Sequence, residues 1–164
     1  MDSIIFEEMN EKYLDAVTQI YNYYVSNTTV SFHAHEITTE EMKEIVFFEN
    51  AIYKTFSIKD GEILCGYVLF TQFKKREAYN KTAEVTIYLS PVYLGKGIGT
   101  KALQYIEEYA VKQGIHALIA IICGENTASI KLFEKNGYIK CAHFKEVGQK
   151  FGRMLDIVDY EKIL

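Results

Sequence analysis

Tryptophan is absent from this chain of 164 residues, and proline occurs once, at Pro91. With no Pro/Gly/Ser-rich stretch, no repeat and no low-complexity segment, the chain offers no linker at which to divide it. Cysteine is also scarce. Cys65, Cys123 and Cys141 are odd in number and widely separated, which excludes a disulfide framework or a zinc motif and leaves them as small apolar fillers in a reducing compartment. No apolar run reaches the roughly 18 residues of a membrane-spanning helix, and residues 1–8 lack the basic region and apolar core of a secretory signal. A cytoplasmic protein without membrane contact is expected. Positive charge is not in excess either: 18 basic against 22 acidic residues give a net charge of -4. The two signs are interspersed, so there is no nucleic-acid footprint. His33, His35, His116 and His143 fit no metal pattern; His33 and His35 read as a solvated pair, with contact to a substrate as the alternative, and His116 as structural. No metal is expected.

What is present is a hydrophobic content of 49%, enough for one domain over residues 1–164 with a proper core. Residues 3–7 read as a strand. Asn10 is placed to cap a helix to about Ser26, with Tyr13, Leu14, Val17, Ile20, Tyr21 and Tyr24 at helical spacing. Tyr13, Tyr21, Tyr23 and Tyr24 read as packing or dimer-surface residues. Thr38 or Thr39 starts a second helix to about Phe48. Strands over 51–58 and 62–70 flank the turn Lys59-Asp60-Gly61. A strand over 81–89, a helix over 98–113 ended by Gly114, and a buried strand from His116 to Cys123 follow. Asn126 caps a helix that Gly137 ends, and strands at about 138–147 and 151–160 complete the chain. The order implies an α/β fold, a partly parallel mixed sheet with helices on both faces.

The most informative stretch is residues 83–101: a strand, a short turn, a loop with Gly95, Gly97 and Gly99, and a helix start. Three glycines let several backbone N–H groups converge at a helix N-terminus, where an anion is favoured. The spacing rules out other phosphate cradles. A Walker loop needs four residues before Gly-Lys-Ser/Thr, and a dinucleotide fingerprint needs Gly where Thr100 stands. On the strand before the loop, Val85, Ile87 and Leu89 share one face and read as core, while Glu84, Thr86 and Tyr88 share the other. Glu84 is the candidate general base. A phosphate cradle beside a carboxylate points to group transfer.

Leu94 to Gly99 resembles motif A of the GNAT superfamily of N-acetyltransferases, usually written Arg/Gln-x-x-Gly-x-Gly/Ala, with Leu94 in place of Arg or Gln. In that superfamily the loop binds the pyrophosphate of acetyl-coenzyme A. The resemblance thus implies a cofactor site at Leu94, Gly95, Lys96, Gly97, Ile98, Gly99 and Thr100, continued by Tyr88 and Leu89. Residues 73–84 are similar to the phosphinothricin N-acetyltransferase branch, whose pattern is Trp-Lys-x-Arg-x-Ala-Tyr-x-x-Thr-Val-Glu. Lys74, Arg76, Ala78, Tyr79, Thr82 and Glu84 match, while Phe73 replaces Trp and Ala83 replaces Val. Residues 20–32 resemble the branch's first helix and substrate loop. Residues 145–156 resemble Glu-Val-Gly-x-Lys-x-Gly-x-Trp-x-Asp, with Met154 for Trp. By this resemblance Phe32, Lys74, Arg76 and Tyr79 bind substrate.

The segment 126–138 is similar to motif B of the superfamily. Asn126, Ser129 and Phe133 are the implied cofactor contacts, although Asn126 and Ser129 also read as capping residues. Many relatives carry Tyr at Phe133, placed to protonate the departing thiolate; Phe cannot donate a proton. No serine or cysteine nucleophile has a recognisable partner.

The resemblance implies a GNAT fold, a mixed, mostly antiparallel sheet of about seven strands with about four helices. It implies a homodimeric acetyl-coenzyme A-dependent N-acetyltransferase acting on the α-amine of a small amino acid or analogue. Transfer would be direct, with Glu84 as base and a backbone N–H near Leu89 as oxyanion donor. A transferase for a protein N-terminus or polyamine, and a non-catalytic coenzyme A-binding module, are the alternatives.

Overall fold

The computed structural model describes residues 3–164. Seven strands and four α-helices lie along it. β1 (Ile4–Glu8), α1 (Leu14–Asn27) and α2 (Thr39–Val46) precede β2 (Lys54–Asp60), β3 (Ile63–Gln72) and β4 (Thr82–Leu89). α3 (Ile98–Lys112), β5 (Ala117–Cys123), α4 (Thr127–Lys135), β6 (Ile139–Lys150) and β7 (Arg153–Ile163) follow. The strands form one sheet in the order β1-β2-β3-β4-β5-β7-β6. Only the β4–β5 pair is parallel. This is the mixed, mostly antiparallel seven-stranded sheet with four helices that the sequence implied.

The sheet carries a core on each face, and strand alternation sorts residues between them. From β3, Val68 and Phe70 join Ala102, Leu103 and Ile106 of α3 and Phe133 of α4. Their neighbours Tyr67 and Leu69 join Val17, Tyr21 and Val25 of α1 and Met42 and Val46 of α2. Each helix turns an apolar stripe inward: Leu14, Val17, Tyr21, Tyr24 and Val25 are the buried apolar residues of α1, at the spacing a helical face requires. α2 starts on a reciprocal capping box, with the Glu41 N–H donating to the Thr38 hydroxyl and the Thr38 N–H to the Glu41 carboxylate.

Several boundaries differ from the sequence reading. Asn10 caps a single 3-10 turn, Glu11–Tyr13, and α1 begins only after it. β2 starts at Lys54 and runs through Asp60, so Gly61, at φ +61°, and Glu62 make the turn. β6 and β7 are longer than expected because Phe151 (φ 52°) and Gly152 (φ 69°) make a tight left-handed turn between them. His116 is exposed and precedes β5; Ile115 is the buried residue there. Cys65 and Cys123 are buried as expected, but Cys141 is exposed, because it lies on the edge strand β6. Among the described residues no helix is long and apolar enough to cross a membrane.

Candidate functional site

β4 and β5 pair through only three residues, Thr82↔Ala117, Ala83↔Leu118 and Glu84↔Ile119. Beyond Glu84, β4 stays with β3 as far as Leu89, and β5 stays with β7 as far as Cys123. The sheet therefore splits in its middle, and the split opens at a carboxylate.

A cavity of about 460 Å³ lies on the α1 side of the sheet next to the split. Its floor is the polar face of β4, Glu84, Thr86 and Tyr88, with Ile121 and Cys123 of β5 and Ile157 of β7. Tyr21 and residues Val30, Ser31, Phe32 and His33 form the wall. Burial raises the Glu84 carboxyl above the ordinary carboxylate range, and the nearby negative charge of Asp159 raises it further. Asp159 is itself raised by burial, which the positive charge of Lys74 opposes. A carboxylate of this kind gains affinity for a proton, as a general base working near neutrality requires.

The wall is ordered by polar contacts. Ser31 donates its hydroxyl hydrogen to the Tyr21 phenol at 2.8 Å, and that phenol in turn contacts Nδ1 of His33. Tyr21 also meets Tyr88 edge-on at 5.3 Å, and Tyr88 stacks on Tyr67. The Tyr24 hydroxyl donates to the Leu89 carbonyl, which fixes the end of β4 before the glycine loop.

That loop and α3 form a second part of the site. Gly95 and Gly97 have φ of +71° and +76°, and a Cβ on either would meet nothing within 4 Å. Open space therefore lies directly over the backbone there. α3 has no side-chain cap, whereas α2 and α4 have one, so its first amides remain available for an anion. Gly99 has a different reason to be glycine: a Cβ there would lie 2.8 Å from Cδ2 of Leu132, so it permits α3 and α4 to pack closely. Leu94 is 53% exposed and Ile98 is buried. Lys96 lies over the Tyr93 ring, and the Thr100 hydroxyl accepts from Asn136 at 3.3 Å.

A further cavity of about 500 Å³ lies across the Thr28–Val30 segment from the first. It is lined by Asn126, Thr127 and Ala128 at the start of α4, by Glu125, and by Phe151 and Arg153. Asn126 is a capping residue, accepting from the Ser129 N–H at 3.2 Å.

Of the sequence-derived candidates, Glu84, Tyr88 and Phe32 come together around one cavity. Lys74, Arg76 and Tyr79 lie on the turn after β3 and line neither cavity. Lys74 stacks over Phe73 and Tyr79, and Arg76 is exposed. Phe133 is buried edge-on against Tyr138 at 4.9 Å and also lines neither cavity. Tyr21 packs in the core as expected and also lines the cavity, and of the two readings of His33 the structure favours the one beside the substrate loop; the tertiary contact between α1 and the following loop brings both to the cavity.

A glycine loop at an uncapped helix N-terminus and a half-buried carboxylate on a split mixed sheet are the arrangement of a group-transfer enzyme with a phosphate-bearing donor. The acetyltransferase (GNAT) family model matches residues 17–138, and the chain belongs to that family; it is an N-acetyltransferase. It is 30% identical over 158 residues to a phosphinothricin N-acetyltransferase of Streptomyces coelicolor, covering 94% of this chain and 92% of the relative. It is 32% identical over 149 residues to an L-methionine sulfoximine/L-methionine sulfone acetyltransferase of Pseudomonas aeruginosa, covering 88% and 85% of the two chains. A solved phosphinothricin acetyltransferase of Sinorhizobium meliloti, in complex with acetyl-coenzyme A, superposes with a TM-score of 0.90 at 28% identity, covering 99% and 89% of the two chains. The open left-handed glycines and uncapped α3 N-terminus fit the pyrophosphate of such a donor.

Proposed function

We propose that this chain transfers the acetyl group of acetyl-coenzyme A directly to the α-amine of a small amino acid or analogue of the phosphinothricin or methionine sulfoximine type. The observation that carries this reading is the position of Glu84: a half-buried carboxylate on the floor of a cavity, at the residue where β4 and β5 separate. The relatives' named substrates support the amine class.

An α-amine is protonated at neutral pH and cannot attack until it loses a proton. Glu84 takes that proton, directly or through a water, and its raised affinity suits the task. The α3 N-terminus with Gly95 and Gly97 holds the donor's pyrophosphate. When bound, acetyl-coenzyme A supplies an activated thioester carbonyl. β4 beyond Glu84 has left its β5 ladder, and a backbone N–H near Leu89 stabilises the oxygen that becomes negative as the amine attacks. Phe133 offers no proton to the leaving sulfur. A thiol with a pKa of about 8.5 leaves acceptably as thiolate, so the reaction proceeds without a dedicated acid. Arg76 and Lys74 line neither cavity, so on this reading they take an acidic group of the substrate that extends beyond the cavity, the guanidinium as a planar fork and the ammonium as a point charge.

The test is thiol release from acetyl-coenzyme A with the amino acids, methionine sulfoximine, phosphinothricin, polyamines and a peptide set. Selective turnover of amino acids or their analogues supports the reading. Preference for polyamines or peptides moves the substrate class, and no turnover with any amine leaves a binding module.

A further inference from the structure

Lys150, the last residue of β6, is only 5% exposed. Its ammonium donates to the carbonyls of Thr28 at 2.7 Å and Ser31 at 2.6 Å. Among the described residues no carboxylate pairs with it. A buried cation without a counter-ion is costly, and here two backbone carbonyls compensate it, together with the Phe151 ring 5.1 Å from the ammonium. Both acceptors belong to the segment after α1 that walls the Glu84 cavity.

Two neighbouring contacts hold the same segment. The Thr29 hydroxyl donates to Glu125 at 2.5 Å, and Glu125 accepts a two-pronged contact from Arg153 at 2.9 and 3.1 Å. The Phe32 ring lies so close over Gly148 that a Cβ there would come within 2.4 Å of Cε2. Gly148, Lys150 and Arg153, all from the β6–β7 hairpin, thus grip residues 28–32 from outside. The inner side of that segment faces Glu84. The hairpin's Gly-x-Lys-x-Gly-Arg pattern is otherwise unaccounted for by the chemistry above.

We propose that Lys150 is a positioning residue: it latches the 28–32 segment to the β6–β7 hairpin and so sets the wall of the amine cavity. The amine assignment of that cavity rests on the proposed function; the latch itself does not. Lys150 lies outside the glycine cradle, so loss of the latch leaves that cradle intact and acts chiefly on the amine side, although residues 28–30 also line the cavity at Asn126.

The experiment compares the parent with Lys150→Met, Lys150→Gln, Lys150→Arg and Gly148→Ala. Hydrogen exchange is followed by mass spectrometry, and kinetics are measured with methionine sulfoximine and acetyl-coenzyme A each varied. In Lys150→Met, exchange over residues 28–33 should become about tenfold faster while β4 is unchanged. The KM for methionine sulfoximine should rise about tenfold, with kcat and the KM for acetyl-coenzyme A within about threefold of the parent. Lys150→Arg, which keeps a cationic donor, should recover part of the loss. Gly148→Ala pushes Phe32 away from the hairpin while leaving the ammonium in place; it should also speed exchange over 28–33, and Lys150→Gln carries the test of the ammonium if Lys150→Met does not fold. Unchanged exchange over 28–33 in the folded variants overturns the latch. Faster exchange with an unchanged amine KM overturns its role in shaping the cavity. If the parent does not acetylate methionine sulfoximine, the substrate reading fails, and the exchange data still decide the latch.

Discussion

Glu84 and Ile119 are the last residues to pair across the parallel β4–β5 ladder. A parallel pair embedded in an otherwise antiparallel sheet is the natural place for a split, because β4 and β5 each retain an antiparallel partner on the other side. The carboxylate at the fork combines two conditions that both cost stability when it is ionised. It is partly removed from water and it sits near Asp159, and both raise its proton affinity.

Glu84→Gln removes the proposed base while keeping its size. Turnover at pH 7 should fall by roughly 10² or more, and the deficit should shrink at high pH, where free amine is already abundant. The same change should raise the melting temperature at neutral pH. A carboxyl whose pKa is raised by folding is fully compatible with the fold below its ordinary pKa and destabilises it as pH rises through the folded value. The stability gain should therefore vanish in acid. Parent-like turnover at pH 7 would show that deprotonation happens elsewhere.

Asp159→Asn removes the charge that adds to the effect of burial on Glu84. The acid limb of kcat/KM, set by the need for ionised Glu84, should move to lower pH without vanishing. Burial remains, so the limb should stay above the ordinary carboxylate range. A limb that does not move would place Asp159 too far away to influence Glu84.

The β4 face was legible because alternation in a strand is strict: Glu84, Thr86 and Tyr88 had to share a side whatever else the chain did. The helices were legible from apolar stripes and caps, and the cradle from its glycines. The cavity wall was legible only through the resemblance of residues 20–32, with Phe32, to a substrate loop. Val30, Ser31 and His33 belong to a segment without period, and Lys150, some 120 residues later in the chain, bonds two of that segment's carbonyls. A side chain that bonds only to backbone leaves no complementary residue type to find. Gly99 looked like its neighbours Gly95 and Gly97 but serves packing against Leu132, a distinction that requires the helix–helix contact to be known.

Thr38→Ala breaks the capping box of α2, in which Glu41 and Thr38 satisfy each other's amides. The loss should be about 1 kcal/mol in urea unfolding. Acetyl transfer should be unaffected, because α2 buries Met42 and Val46 in the core and lines neither cavity. A variant with unchanged stability would mean that packing alone starts this helix.

Gly97→Ala tests the cradle. With φ at +76°, any side chain at the α3 N-cap adopts a left-handed backbone, at a cost of roughly 1–2 kcal/mol. The new methyl meets no protein atom within 4 Å, so the protein tolerates it sterically, and it projects into the space assigned to the pyrophosphate. The fold should persist with a modestly lower melting temperature. Coenzyme A affinity measured by calorimetry should fall at least about tenfold, as expected when a ligand loses close approach to several backbone donors. Thr38→Ala provides the control for destabilisation without loss of binding. Unchanged coenzyme A affinity in folded Gly97→Ala would remove this loop as the phosphate site, and with it the placement of the donor beside Glu84.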